Sequence, residues 1–517
     1  MRFPRSADLL FGQLGSAAEK AGLPWGTDHE SIAVTVKDGG FPLSELAGAA
    51  RRLAESAVSA GLKEDDWCVV RLDQPLDILV AVAGLTAVGV VPVLLSAKLD
   101  VASAAAALEP VTVPLHLLIT QRRAAEVPRL SAAGATSLVW EDLVSDPRVG
   151  TEARVPAHGV ERAPDAPYLV THTSGTTGVP KLAVHTRNSF YQQSVIQARI
   201  LRTLSLRGYL AAAISPVHVR TLSGLLSALR LRLNVLLLAS EEPDVVAGQL
   251  ERWRPHYLET HPNTFVRWEE LADTGVLSSV RLFLGTFDAM HPPTMERLLA
   301  GSRRRMPLFA EVYAQSELGP VAFRMKRRRG GRRESVESEL AGHRVGRSLP
   351  GYSRIRIVDE AGNPLGANQP GRIQVRSKGF FAGYLNFPEK FEENRADGGW
   401  WDSGDWGTKS RFGNLRLLDR QVERLDQAAS GIALEDVLLG RLPEAVEIVV
   451  LETHGALVPV VATRTGMAVP SQRWAQAVDG LPELASPRHA SWSAIPRTAT
   501  GKVRRELLRQ QLGFQAE

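Results

Sequence analysis

Thr173-Ser174-Gly175-Thr176-Thr177-Gly178-Val179-Pro180-Lys181 places two glycines, four hydroxyl side chains and a lysine within nine residues. Glycines let backbone N–H groups turn toward an anion, hydroxyls add short donors, and lysine brings a compact positive charge without demanding planar geometry. The stretch therefore reads as a phosphate cradle, with a polar surface turn as the plain alternative.

Short apolar runs alternate with helical patterns on either side of it. Residues 44 to 62 carry Leu46, Ala50, Leu53, Ala57 and Val58 on one helical face. Strand-like runs lie at Trp67–Val70, Leu117–Thr120, Ser137–Trp140, Tyr168–Thr171 and Tyr209–Ile214. Such alternation predicts parallel strands covered by helices on both faces. The run Ile78–Leu95 is apolar apart from Thr86 and has nearly the length of a membrane span. Gly84, Gly89 and Pro92 break it into a buried helix followed by a core strand. From Gly351 onward, short strands between Gly and Pro turns, Tyr352–Val358 and Gly371–Val375 among them, predict a smaller β-rich subdomain. A break near Arg420-Gln421 sets off residues 421–517, which have strand and helix signals of their own. The expectation is an α/β fold in two domains, a layered core over 1–420 and a small α+β lid over 421–517.

Of the 517 residues 44% are hydrophobic and 23% charged, as in an ordinary globular protein long enough for several domains. Only ten of the 61 basic residues are lysine, so a lysine stands out against an arginine background. A single cysteine, Cys68, excludes an internal disulfide framework and a thiolate zinc site, and Met1-Arg2-Phe3-Pro4-Arg5-Ser6 lacks the apolar stretch of a signal peptide. A reducing, cytoplasmic setting is expected. The basic run Lys326-Arg327-Arg328-Arg329-Gly330-Gly331-Arg332-Arg333 has no interleaved aromatics and is followed by Glu334, Glu337 and Glu339. It reads as a solvated loop, and neither nucleic acid nor a membrane is an expected partner.

The Walker loop of NTPases does not fit the opening stretch, because it needs Gly-Lys followed by Ser or Thr, and here Val179-Pro180-Lys181-Leu182 follows Gly178. The stretch resembles instead the Thr-Ser-Gly-Thr-Thr-Gly-x-Pro-Lys loop of the adenylate-forming (ANL) superfamily of acyl-CoA synthetases, peptide-synthetase adenylation domains and luciferases. Further landmarks of that superfamily follow in order: Pro216-Val217-His218, Tyr313-Ala314-Gln315-Ser316-Glu317, Gly371-Arg372-Ile373-Gln374-Val375-Arg376, Gly399-Trp400-Trp401-Asp402-Ser403-Gly404-Asp405, Leu418-Asp419-Arg420, and Pro496-Arg497-Thr498-Ala499-Thr500-Gly501-Lys502. The resemblance covers roughly residues 40–510.

It implies that Thr173, Ser174, Gly175, Thr176, Thr177, Gly178 and Lys181 wrap the phosphates of ATP. Glu317 would hold Mg²⁺, Tyr313 and Ser316 would face the nucleotide, Asp405 would bind the ribose, and Arg420 would make a second nucleotide contact. Lys502 would swing in on a mobile lid to bridge the attacking acid and the phosphates. His218 is either a pocket gate or a satisfied structural histidine. Arg220 is a candidate anion partner, with a surface arginine as its plain alternative. Where the superfamily often carries glycines along the acyl pocket, this chain has Thr286, Phe287 and Asp288, and Ala314 replaces another glycine. Added bulk leaves a smaller hole, which disfavours a long acyl chain. Val422 and Glu423 stand where a hinge aspartate is usual, and Ala429 where a glycine passes pantetheine, so the use of CoA is left open.

The expected activity is ATP-dependent adenylation of a small or compact acid, with release of pyrophosphate and transfer to an amine or thiol. Two alternatives stand beside it: activation of nitrous acid and diazotisation of an aromatic amine, and a silent nucleotide-binding regulator. Retention of Lys181, Glu317, Asp405 and Lys502 argues against the last.

Overall fold

The computed structural model describes residues 9–19, 24–130, 136–145, 155–173, 178–205, 207–328, 340–425, 427–498 and 500–513. They form a mixed α/β protein whose chain divides into two compact units: residues 1–259 with 316–319 and 378–393, and residues 260–315 with 320–377 and 394–517.

The first unit is built on a seven-stranded sheet ordered Gly383–Tyr384, Leu182–Thr186, Pro167–His172, Val91–Leu94, Trp67–Arg71, Leu115–Ile119 and Ser137–Val139. The pairs from Pro167–His172 onward are parallel, as the alternation predicts. The departure lies at the opening stretch, since Pro167–His172 and Leu182–Thr186 pair antiparallel and the phosphate-cradle residues join them as a hairpin. Leu182, where the superfamily has glycine, is fully buried and belongs to the same sheet core as Val93 and Val170. The apolar run at 78–95 splits into helix Pro75–Ala87, buried along its whole length, and strand Val91–Leu94. Gly89 turns the chain between them at φ +81, and a Cβ there would meet Glu64 at 2.7 Å. Helix Leu43–Ser59 buries Leu46, Ala50, Leu53 and Ala57, whereas Val58 is 41% exposed. Val58 lies in the last turn, about 100° around the axis from Ala57, and so leaves the buried stripe.

The second unit pairs Leu282–Gly285 with Leu308–Gln315 in parallel and continues in antiparallel strands. His343–Ser348, Asn414–Arg420, Trp400–Lys409, Gly371–Ser377 and Ser353–Val358 neighbour one another in that order, the β-rich region expected after Gly351. Residues 421–513 begin with a short turn at Gln421–Glu423 and build the three-stranded sheet Ala445–Thr453, Ala456–Thr463 and Arg488–His489. Helix Gly431–Arg441 packs Leu434, Leu438 and Leu439 against Ile448, Val450, Leu457 and Val461. Among the described residues no helix is long and apolar enough to cross a membrane. Lys326, Arg327 and Arg328 of the basic run are described; Arg329 to Arg333 lie outside the described residues.

Candidate active site

Each unit gathers its own set of the residues singled out in the sequence. In the first, Ser174, Gly175, Thr176 and Thr177 lie outside the described residues, but both ends of their hairpin are placed. Thr173 N donates to Lys181 O at 2.8 Å, and Lys181 N donates to Thr173 Oγ1 at 3.3 Å. Gly178 adopts φ +152 in open space, so backbone freedom alone accounts for glycine there. The Lys181 ammonium lies 5.1 Å above the Tyr384 ring. The Tyr384 hydroxyl donates to Glu317 Oε1 at 2.5 Å, and burial followed by the Glu317 charge pushes its pKa far above the ordinary phenol value. Glu317 Oε2 has no partner among the described residues. A hard cation such as Mg²⁺ takes a carboxylate oxygen of this kind, with water and phosphate oxygens completing its shell. Among the described residues no cluster of three or more potential ligands exists that would bind a metal without such help. Ser316 beside Glu317 is half-buried.

His218 caps helix Val219–Leu231, is 9% exposed, and meets the His172 ring edge-on with centroids 5.5 Å apart. Arg220, two residues on, is committed within the protein. Its Nε lies 2.9 Å from Glu259 Oε1 and its Nη2 donates to Glu259 Oε2 at 2.9 Å, while Gln197 and Tyr257 take further bonds. Burial alone would depress its pKa, and the Glu259 carboxylate outweighs that and raises it. Arg220 is therefore neither a surface arginine nor an unneutralised cation.

In the second unit Asp405 and Arg420 face one another in the pairing of Trp400–Lys409 with Asn414–Arg420. Asp405 Oδ2 accepts from the Tyr313 hydroxyl and from Gln315 Nε2 at 3.0 Å, which leaves Oδ1 without a partner among the described residues. A diol needs acceptor oxygens of that sort. Burial raises the Asp405 pKa, and the Arg420 and Lys502 charges partly offset it. Lys502 sits in a turn closed by Thr498 N donating to Lys502 O at 2.8 Å and by Lys502 N donating to Thr498 Oγ1 at 3.1 Å. Gly501 turns at φ +83 against Asn263, where a Cβ would approach to 2.6 Å. Burial and then Arg420 lower the Lys502 pKa, opposed by Asp288, Asp405 and Glu423. Lys502 is thus a half-buried charge under the influence of three carboxylates.

Thr286 is buried with its hydroxyl unpartnered among the described residues, Asp288 and Ala314 are exposed, and Phe287 stands at φ +82 with its ring 4.7 Å from His261. A bulky residue in the left-handed region is a true outlier and marks a site where strain is retained. Tyr384 and Gln315 were given no role by sequence reasoning, because their partners are distant in the chain. His172 was overlooked although it adjoins the cradle, which was a signal.

The family model for AMP-binding enzymes matches residues 28–385. The chain is 36% identical over 507 residues to a 3-amino-2-hydroxy-4-methoxybenzoate diazotase of Streptomyces cremeus, covering 92% of this chain and 90% of that protein. It is 28% identical over 306 residues to a 3-aminoavenalumate diazotase of a Streptomyces species, over 56% of this chain and 53% of the relative. Its fold is that of the ATP-bound structure of MatB from Rhodopseudomonas palustris, with a TM-score of 0.79 at 19% identity over 97% and 98% of the two chains.

Proposed function

Since the chain belongs to the AMP-binding enzyme family and is an ATP-dependent adenylate-forming enzyme, we propose that its acid is nitrous acid and its acceptor an aromatic amine, making it a diazotase. The observation that carries this reading is end-to-end similarity to a diazotase at 36% identity.

A nitrite oxygen attacks the α-phosphorus of ATP and pyrophosphate leaves, giving a mixed anhydride of nitrous acid and AMP. Little covalent chemistry falls to the protein, so rate comes from positioning and from neutralising developing charge. Lys181 and the cradle hold the β- and γ-phosphates, Glu317 provides a metal ligand, Asp405 accepts from the ribose, and Lys502 neutralises charge at the attacked phosphorus. Mg²⁺, when bound, supplies Lewis-acid charge neutralisation at the phosphates. Residues 421–517 act as the lid that delivers Lys502. Attack of the amine on the nitroso nitrogen then releases AMP.

Product mass spectrometry with ATP, Mg²⁺ and a panel of small acids, nitrite with a 3-aminobenzoate among them, tests the reading. Diazonium or its coupled azo product is expected with nitrite. An acyl-amide or acyl-thioester in its place would return the enzyme to carboxylic acid activation.

A further inference from the structure

His172 ends strand Pro167–His172 immediately before the phosphate cradle, is 2% exposed, and takes no part in the scheme above. Its Nδ1 lies 3.1 Å from the Thr173 carbonyl oxygen. A carbonyl only accepts, so Nδ1 must carry the proton of the neutral ring and Nε2 a bare lone pair. Burial depresses the pKa of His172, and the Arg71 charge depresses it further, so the ring is neutral near pH 7. Nε2 is buried and without a partner among the described residues. Among the described residues Arg71 on strand Trp67–Arg71 acts on it electrostatically, and the His218 ring at the start of helix Val219–Leu231 lies against it.

A buried acceptor without a donor costs about 1–3 kcal/mol, which is recovered when a ligand supplies the donor. Nitrite and triphosphate offer only acceptors, the ribose hydroxyls are assigned to Asp405, and the adenine amino group takes no part in the transfer. The arylamine is the reactant that brings N–H groups to the transfer step. We infer that His172 Nε2 binds the acceptor amine and takes its proton during transfer, a role that rests on the diazotase reading. As the amine nitrogen attacks, an N–N bond forms, the N–O bond to the adenylyl oxygen breaks, AMP leaves with that electron pair, and the amine proton passes to Nε2. The N-nitrosoarylamine shifts its remaining N–H proton to oxygen, giving Ar–N=N–OH. Return of the proton from His172 to the departing hydroxyl yields water and the diazonium ion, with no oxidant or reductant required. A base placed in this way contributes about 10²- to 10⁴-fold.

The experiment compares diazonium formed per pyrophosphate released, using nitrite and 3-aminobenzoate, in wild type, His172→Gln and His172→Ala. Gln keeps a polar group near the position of Nε2 but cannot take up a proton. The ratio should fall by roughly 10²-fold in both variants, and added imidazole should restore coupling in His172→Ala and not in His172→Gln. An unchanged ratio, parallel loss of both half-reactions without rescue, or a raised KM for ATP as the main effect would overturn the role. Histidine nitrogen NMR of the wild-type protein gives a reading independent of any variant: the Nε2 resonance should move on addition of 3-aminobenzoate, and a stationary one would refute the contact. Failure of wild type to release pyrophosphate with nitrite would overturn the diazotase reading instead. The His172 ratio would then be decided with whichever acid and amine the enzyme does couple.

Discussion

Histidines are buried in both units and end in opposite states. In the first, His185 is fully enclosed with Thr171 Oγ1 at 3.0 Å as its one hydrogen-bond partner among the described residues, and burial drives its pKa down to about 3; His172 is lowered in the same way. In the second, His343 lies between Glu311 at 3.0 Å and Asp436 at 2.8 Å, and His291 between Asp436 and Glu447, each at 3.4 Å. Burial would lower these pKa values too, but the carboxylates raise them to about 9 and about 10. Desolvation of the charge is common to both units, and only the partners differ. The first unit holds neutral imidazoles with lone pairs to offer, which suits proton transfer. The second fixes imidazolium ions as structural cross-links among helix Gly431–Arg441, strand Ala445–Thr453 and strands Leu308–Gln315 and His343–Ser348.

The largest test of this contrast removes the shared carboxylate. Asp436→Ala leaves two buried cations with one partner fewer, and breaking a buried ion network costs about 3–5 kcal/mol. His185→Leu removes one neutral hydrogen bond, worth about 1 kcal/mol. Hydrogen exchange, read separately in the two units, should show strong loss of protection around residues 431–463 for the first variant and little change for the second. Equal effects would mean that the imidazolium network carries no special weight.

Lys502 probes the charged side in function. Lys502→Ala should slow adenylate formation by roughly 10²-fold, about 2.7 kcal/mol of barrier, with ATP affinity nearly kept, since the ammonium acts on developing charge. Single-turnover release of pyrophosphate at the wild-type rate would remove it from the chemistry.

Acid and alkali should loosen different units. His291 and His343 have folded pKa values above their unfolded value of about 6.5, so their contribution is complete below that pH and is lost as pH rises through about 9 to about 10. Asp436 and Glu447 are lowered, so their contribution is present above about 4 and is lost as pH falls further. His185 is a base with a depressed folded pKa, so the unfolded chain binds the extra proton and stability falls as pH drops from about 6.5 toward about 3. Exchange at pH 5 against pH 9.5 should open the first unit preferentially in acid and the second preferentially in alkali. Simultaneous opening at both extremes would contradict the difference in partners.

Local chemistry was readable from the chain, and distant pairing was not. The hydroxyl and glycine pattern at 173–181 favours an anion cradle over a plain surface turn, and of the three residues expected to break the apolar run only Gly89 does so, Gly84 lying inside the helix and Pro92 inside the strand. The hairpin pairing of Pro167–His172 with Leu182–Thr186 escaped the parallel expectation because strand direction depends on the short connection between them. Nothing near His343 in sequence points to Asp436, 93 residues away, or near Glu317 to Tyr384, 67 residues away. Arg220 looked available because its partner Glu259 lies 39 residues on.

Phe287 combines both kinds of information, and its substitution should have the smallest effect on stability. The sequence shows bulk where the superfamily often has glycine, and the structure supplies the reason glycine suits the position, a φ of +82. Phe287→Gly relieves about 1–2 kcal/mol of left-handed strain and forfeits the ring contact with His261, worth about 0.5–1.5 kcal/mol. These terms nearly cancel, so unfolding should shift by no more than about 1 kcal/mol. Function should move further, because strain retained against an available glycine points to a selected shape. Ala314 is exposed, which makes Phe287 the sharper single test of a narrowed pocket. Turnover should spread toward bulkier arylamines and longer straight-chain acids, with some loss on the native pair through missing contacts. A wild-type preference for long-chain acids would refute the narrowed pocket, and an unchanged size profile in a stable Phe287→Gly protein would show that the strained ring faces something other than substrate.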